Sequence, residues 1–206
     1  MLALAITTMF GFLALTVDIG LAYTVRKSAQ TAADAAALAG AQQAFNAAGW
    51  SAFATQTATQ VDAGQAASAT CPSGVECQAS RTCSPSTANP PQTNIDSACL
   101  YALNNGFSTA SNNGYTQTVS VVASAVNPPP VSYVIGLAFQ APGPALSAYY
   151  WVHVAVTESI PFLFGEFVRK NGVQVPLLTV GVQSLAAIVV TDDGSGTIIS
   201  TISLVQ

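Results

Sequence analysis

Four cysteines and one histidine are the residues of this 206-residue chain whose types could do chemistry. Cys71, Cys77, Cys83 and Cys99 fall within 29 positions, in surroundings rich in Pro, Ser, Thr and Asn. An even count clustered in a loop-like region reads as two disulfides, and so as an oxidising location. Zinc is the competing chemistry, but the segment has no C-x-x-C pair and the single histidine, His153, lies far along the chain. Four cysteines allow three pairings, and the sequence leaves all three open.

His153 sits in the alternating run Tyr149-Tyr-Trp-Val-His-Val-Ala-Val-Thr157, where it shares a strand face with Trp151 and Ala155. No nucleophile or carboxylate accompanies it in sequence, so it reads as a packed histidine rather than a general base. Glu158 and Glu166 straddle Pro161 and read as solvated carboxylates. No glycine-rich phosphate loop precedes a helix and no C-x-x-C-H is present, which removes nucleotide and haem-attachment chemistry. Asp192-Asp193-Gly194-Ser195-Gly196 offers too few oxygen ligands for calcium and reads as a hairpin turn. The stretches Ser51–Thr59 and Ser108–Ser120 have the composition of O-glycosylated segments but read as ordinary polar surface. The expectation is a protein that is not an enzyme, with no cofactor and no metal.

The elements that position these residues begin with a long stem. Charged residues are 7% of the chain, against about 25% for a soluble globular domain. Half the residues are hydrophobic, many of them Ala, which suits burial in a membrane or an assembly. The net charge of −4, with only five Lys and Arg, excludes nucleic acid as a partner, because phosphates demand clustered cations. From Met1 to Thr70 there is no proline, so the apolar run Met1–Val17 continues through Asp18 and the basic pair Arg26–Lys27 into the alanine-rich Ser28–Ala48. One long helix, or two in line, is expected, and residues 1–25 alone would span about 37 Å, enough to cross a hydrocarbon core. The start Met1-Leu-Ala-Leu-Ala carries no basic flank, and a basic leader is expected to have preceded it.

Ala29, Ala33, Ala37 and Ala41 recur every fourth residue, as do Ala36, Gly40, Ala44 and Ala48. Such rows share a helix face and allow close helix approach, besides favouring helix outright. Asp18 is an ionisable group inside the apolar run, either hydrated near its polar boundary or paired with Arg26, Lys27 or a terminal amine of a neighbouring copy. Phe45, Trp50, Phe53 and Val61 are expected where the stem meets its head, with Gly49 or Gly64 as its end.

The rest divides into a stem, residues 1–64, and a head, residues 65–206. Prolines 72, 85, 90 and 91 make residues 65–98 a disulfide loop. Cys99-Leu-Tyr-Ala-Leu-Asn-Asn-Gly is a short helix with an Asn-Gly stop. Strands are expected at Thr116–Val126, Tyr149–Thr157, Val180–Val190 and Thr197–Val205. Residues 131–139 are an apolar excursion, and Ile160–Val168 a turn and short helix. The fold class is α+β: a long hydrophobic helix followed by a small antiparallel head stapled by disulfides.

Leu15-Thr-Val-Asp18-Ile-Gly20-Leu-Ala-Tyr23, followed by Arg26-Lys27-Ser-Ala-Gln30-Thr-Ala-Ala33-Asp34-Ala-Ala-Ala-Leu-Ala-Gly40-Ala41, resembles the N-terminal region of TadG-like proteins. With the TadE-like proteins these belong to tight-adherence (Flp) pili, a branch of the type IV pilus system. The shared pattern is an apolar run, V-D-x-G, an aromatic, a basic pair and Q-x-A-A-D-A-A-A-L-A. The chain departs from it in lacking a glutamate before Glu76 and in having a small head. The resemblance implies a bacterial envelope or cell-surface protein, inserted through its N-terminal helix into the inner membrane and handled by the pilus secretion machinery.

Two functions follow. The first is a structural subunit of an extracellular pilus-like filament of identical copies, with Asp18, Gly20, Arg26, Lys27, Ala29, Ala33, Asp34, Ala37, Gly40 and Ala41 packing the helices. The alternative is an inner-membrane-anchored minor pilin or assembly factor of a tight-adherence system.

Overall fold

The computed structural model of the chain describes residues 2–48, 73–112, 115–124, 147–161, 177–192 and 198–205. Helix α1, Leu2–Ala48, is a single unbroken helix of 47 residues. Ala, Leu and their neighbours here are strong helix formers and no proline interrupts them. The expected bulk at Trp50, Phe53 and Val61, the end at Gly49 or Gly64, and the stretch 131–139 lie outside the described residues, as does most of the turn and short helix expected at Ile160–Val168, whose first two residues, Ile160 and Pro161, instead complete a strand by pairing with Leu178 and Leu177.

The head is one antiparallel sheet. Its strands are β1 (Gln78–Thr82), β2 (Ala110–Asn112), β3 (Tyr115–Ser124), β4 (Ser147–Pro161), β5 (Leu177–Asp192) and β6 (Ile198–Val205), with helix α2 (Asn94–Asn104) between β1 and β2. The order is β1-β3-β4-β5-β6, with β2 also paired to β3. β1 takes the Ser120–Ser124 half of β3 and β2 takes the Thr116 half. The predicted α+β architecture is therefore the observed one, with a Cys83–Cys99 disulfide in the head.

Register sets which residues meet the helices. Val119, Val121 and Ala123 of β3 stand opposite Val156, Val154 and Val152 of β4. These continue into Val182 and Ala186 of β5. With Tyr150 and Ile188 they form the face that enters the core with Ala29–Ala44 of α1 and Ala98 and Ala102 of α2. Trp151, His153, Leu185 and Ala187 alternate onto the other face and are also buried.

Helix α2 is fixed at both ends. Thr93 caps it: the Asp96 amide donates to Thr93 Oγ1 (3.2 Å), and the Thr93 amide donates back to Asp96 Oδ2 (3.2 Å). At the other end Gly106, with φ of +88°, lets its amide reach Leu103 O (2.9 Å) while the Phe107 amide reaches Ala102 O (3.0 Å). That pair of bonds closes the last turn and seats Phe107 in the core. The Asn-Gly stop is thus where the sequence puts it, but the helix starts five residues before Cys99, among polar residues.

Candidate functional site

α1 has two surfaces. From Ala29 to Ala44 one side is sealed: Ala29, Ala32, Ala33, Ala36, Ala37, Ala41 and Ala44 are at most 1% exposed. They rest against β4, β5 and α2 of the same chain. The four-residue alanine rows are therefore filled by the chain's own head. A sequence cannot distinguish a small face meant for a neighbour from one meant for its own sheet.

Gly40 is the tightest point of that seat. A Cβ placed there would stand 3.1 Å from Val152 Cγ1, 3.2 Å from Ala98 Cβ and 3.2 Å from the Asn94 carbonyl oxygen. Gln30 marks the lower margin, donating through Nε2 to the Gln183 carbonyl (3.2 Å) and to Asp34 Oδ1 (2.8 Å).

Below Gln30 the helix is a stem. Met9, Phe10, Phe12, Leu13, Leu15, Val17, Ile19 and Tyr23 are exposed and cover every side of the helix but one, where Ala14, Leu21, Ala22 and Val25 are apolar as well. A helix apolar all round belongs in lipid or in a larger core. Its length and composition suffice to cross a membrane. Thr16 and Thr24 return their hydroxyl protons to Phe12 O (2.8 Å) and Gly20 O (2.9 Å), so these polar groups need no water. Gly20 faces open space, and Arg26 and Lys27 are exposed. Asp18 is half-buried, in a row with Ala14, Leu21, Ala22 and Val25 on the side that continues the Ala29 seat. That row was legible by carrying the three-and-four spacing back from Ala29, and sequence reasoning missed it.

The head carries a polar clamp that the sequence did not announce. Asn94 donates through Nδ2 to the Tyr150 hydroxyl, and the Tyr150 hydroxyl donates to the Glu76 carbonyl (2.7 Å). Asn94 Oδ1 accepts the Glu76 amide (2.7 Å). Both side chains are fully buried, and burial drives the Tyr150 phenol far above its ordinary pKa. The proton therefore stays available for the carbonyl at any ordinary pH. Arg81 ties the same corner from outside, reaching Glu76 (2.8 Å) and Asp96, while Thr93 Oγ1 donates to Glu76 (2.7 Å).

Cys83, just after β1, is bonded to Cys99 in α2. Cys77 is also disulfide-bonded, and Cys71 lies outside the described residues. His153 is buried, its Nε2 donating to Gln183 Oε1 (3.2 Å), and burial lowers its pKa. The group that Nε2 meets is a side-chain amide.

A stem apolar all round, continuous with a helix seated under its own sheet, fits insertion into a membrane by the N-terminal helix with a folded head outside it. Residues 1–43 match the model of the TadE/G-like Flp pilus-assembly family, a stretch that covers the stem and most of the seat. The match supports a role in a Flp, or tight-adherence, pilus system. No curated protein and no solved structure matches the chain.

Proposed function

We propose that the protein is a structural subunit of a Flp-type pilus-like filament on a bacterial surface. It is held in the inner membrane by α1 before assembly and passed by the secretion machinery into a filament of identical copies. The observation that carries this reading is the division of one helix into a sealed half and an apolar exposed half. Because Ala29, Ala33, Ala37, Gly40 and Ala41 are occupied by the head, contacts between copies fall to the stem, Leu2 to Lys27. Asp18, Arg26 and Lys27 are its charges, and a charge moved from water into a helical core needs a partner. Complementary charges on successive stems would fix their register, and head-to-tail contacts that do not close give a filament.

The test is electron microscopy of sheared surface material from cells making the protein, with Asp18→Ala and Arg26→Ala beside the wild type. Filaments containing the wild-type chain are expected, with reduced filament yield in both variants and an unchanged thermal transition of the head. Full yield from both variants removes the register role. Recovery of the wild-type protein only with the inner membrane refutes the subunit reading in favour of an anchored minor pilin or assembly factor.

A further inference from the structure

Where β1 ends, the chain is pinned on both sides of one residue. The Cys83 amide donates to the Val119 carbonyl (2.8 Å), its carbonyl accepts the Thr109 amide (2.8 Å), and its sulfur is bonded to Cys99 of α2. Ser84-Pro85-Ser86-Thr87 then turns the chain away from the sheet. The Ser84 carbonyl accepts both the amide (3.1 Å) and the hydroxyl (2.6 Å) of Thr87. Ser84 Oγ accepts the Ser86 amide (3.2 Å) and lies 2.9 Å from Ser86 Oγ. Between this braced turn, the end of β1 and α2 is a cavity of about 200 Å³.

Its lining is polar on the walls and apolar at the floor. Arg81 lines one side, its fork fixed by Glu76 and Asp96, and Asp96 is fixed in turn by the amides of Gln92 and Thr93 (3.2 Å each). Those two ion pairs engage two of the five N–H groups of a guanidinium and leave three for a ligand. Thr82 and Ser86 bring hydroxyls, which both donate and accept, and neither hydroxyl ties one element of the head to another. The floor is the Cys83–Cys99 bridge, whose two residues are each 1% exposed.

Charge and size decide what fits. One guanidinium set against two carboxylates leaves one negative charge over, so an entering phosphate, sulfate or carboxylate meets like charge. A cation meets N–H donors where it needs oxygen. The volume lies below the range of about 300–1,000 Å³ usual for drug-sized ligands, which limits the occupant to one small ring. An uncharged ring whose edge gives and accepts hydrogen bonds, and whose face is C–H, matches both walls and floor.

We propose that this cavity binds the terminal pyranose residue of a neutral polysaccharide. Arg81 donates to the sugar's oxygens, and Thr82 and Ser86 exchange hydrogen bonds with its hydroxyls. No aromatic side chain lines the cavity, so one site holds its sugar weakly. Many such sites along a filament of identical copies would hold a polysaccharide by avidity. That consequence rests on the filament reading, and the site itself does not.

The experiment uses the full chain, isotopically labelled and dispersed in lauryldimethylamine oxide micelles, a detergent without a sugar headgroup. Methyl glycosides of glucose, galactose, mannose and N-acetylglucosamine are titrated in, then the free sugars, then glucuronate as the charged counterpart. Backbone amide and Arg81 Nε–H resonances report binding. At least one neutral glycoside should shift the signals of Arg81, Ser84, Ser86 and Thr87 saturably, and glucuronate should bind severalfold more weakly. Thr82→Val with Ser86→Ala should weaken that titration roughly tenfold or more, at about one hydrogen bond each, with the urea midpoint of the head unchanged. No saturable shift with any neutral sugar overturns the site. Binding undiminished in the double variant overturns its placement, and glucuronate binding as tightly as the neutral sugars overturns the charge argument. Free sugars bound with their glycosides rejected overturn the polysaccharide as source. Dispersed chains are used throughout, so none of these outcomes bears on whether the protein forms filaments.

Discussion

Tyr150→Phe removes one oxygen atom and tests the polar clamp at the top of the head. The hydroxyl serves two groups, donating to the Glu76 carbonyl and accepting from Asn94 Nδ2. Phenylalanine keeps the ring and its packing, so no cavity of consequence is made. It leaves the Asn94 N–H and the Glu76 carbonyl without this partner, and Asn94 is fully buried. Each buried group deprived of its partner costs about 1–3 kcal/mol. The hydroxyl no longer has to be dehydrated on folding, which returns part of that, so the expected loss is about 2–4 kcal/mol. Urea denaturation of the full chain in detergent micelles, followed by fluorescence of the buried Trp151, should show a lower midpoint with an unchanged slope. In a double-mutant cycle, Asn94→Leu with Tyr150→Phe should cost less than the two single changes added together, because the second substitution has less left to break. A loss below about 0.5 kcal/mol for Tyr150→Phe, or strict additivity in the cycle, would refute the argument that the clamp is one cooperative unit.

Other perturbations probe the seat and the staple. Gly40→Val should destabilise the head by about 2–3 kcal/mol in the same assay, since overpacking against Val152, Ala98 and the Asn94 carbonyl outweighs the gain of roughly 0.3 kcal/mol in helix propensity from glycine to valine. Cys83→Ser with Cys99→Ser opens a loop with a sequence separation of 16 and should cost about 3 kcal/mol on the chain-entropy account, read as a lower urea midpoint. His153 has a folded pKa below its unfolded value, so the unfolded chain binds the extra proton; stability should fall as pH drops from about 6.5 toward the folded pKa and be flat above. His153→Gln should abolish that slope between neutral and mildly acidic pH.

The stem and four strands were legible because their patterns are long. Nothing in Leu2–Ala48 opposes a helix, and Val119–Ala123, Val152–Val156 and Ala186–Ile188 lie within the predicted strand segments. β1 was hidden because Gln78-Ala-Ser-Arg-Thr82 is short, polar and mostly exposed, and holds its place by pairing with β3. β2, only three residues long, was hidden for the same reason. The start of α2 was hidden because Asn94 and Asp96 look like loop residues. Asn94 is instead the bridge to Tyr150 and Glu76, and Asp96 completes the cap from Thr93. The alanine rows were seen, but what they face depends on the register of strands more than a hundred residues away. No local pattern records that partner.

The continuity of α1 has a mechanical consequence. A rod about 70 Å long, unbroken from Leu2 to Ala48, carries tension along its axis without a hinge to absorb it. A pull on the stem reaches the head as sliding force along the alanine seat, with Ala29 through Ala44 loaded together. Interlocked surfaces loaded in this direction yield at once or not at all, unlike an edge that peels one bond at a time. Gly40, wedged among Val152, Ala98 and Asn94, is the notch that opposes the slide. The Cys83–Cys99 bond keeps α2 from being dragged out after it.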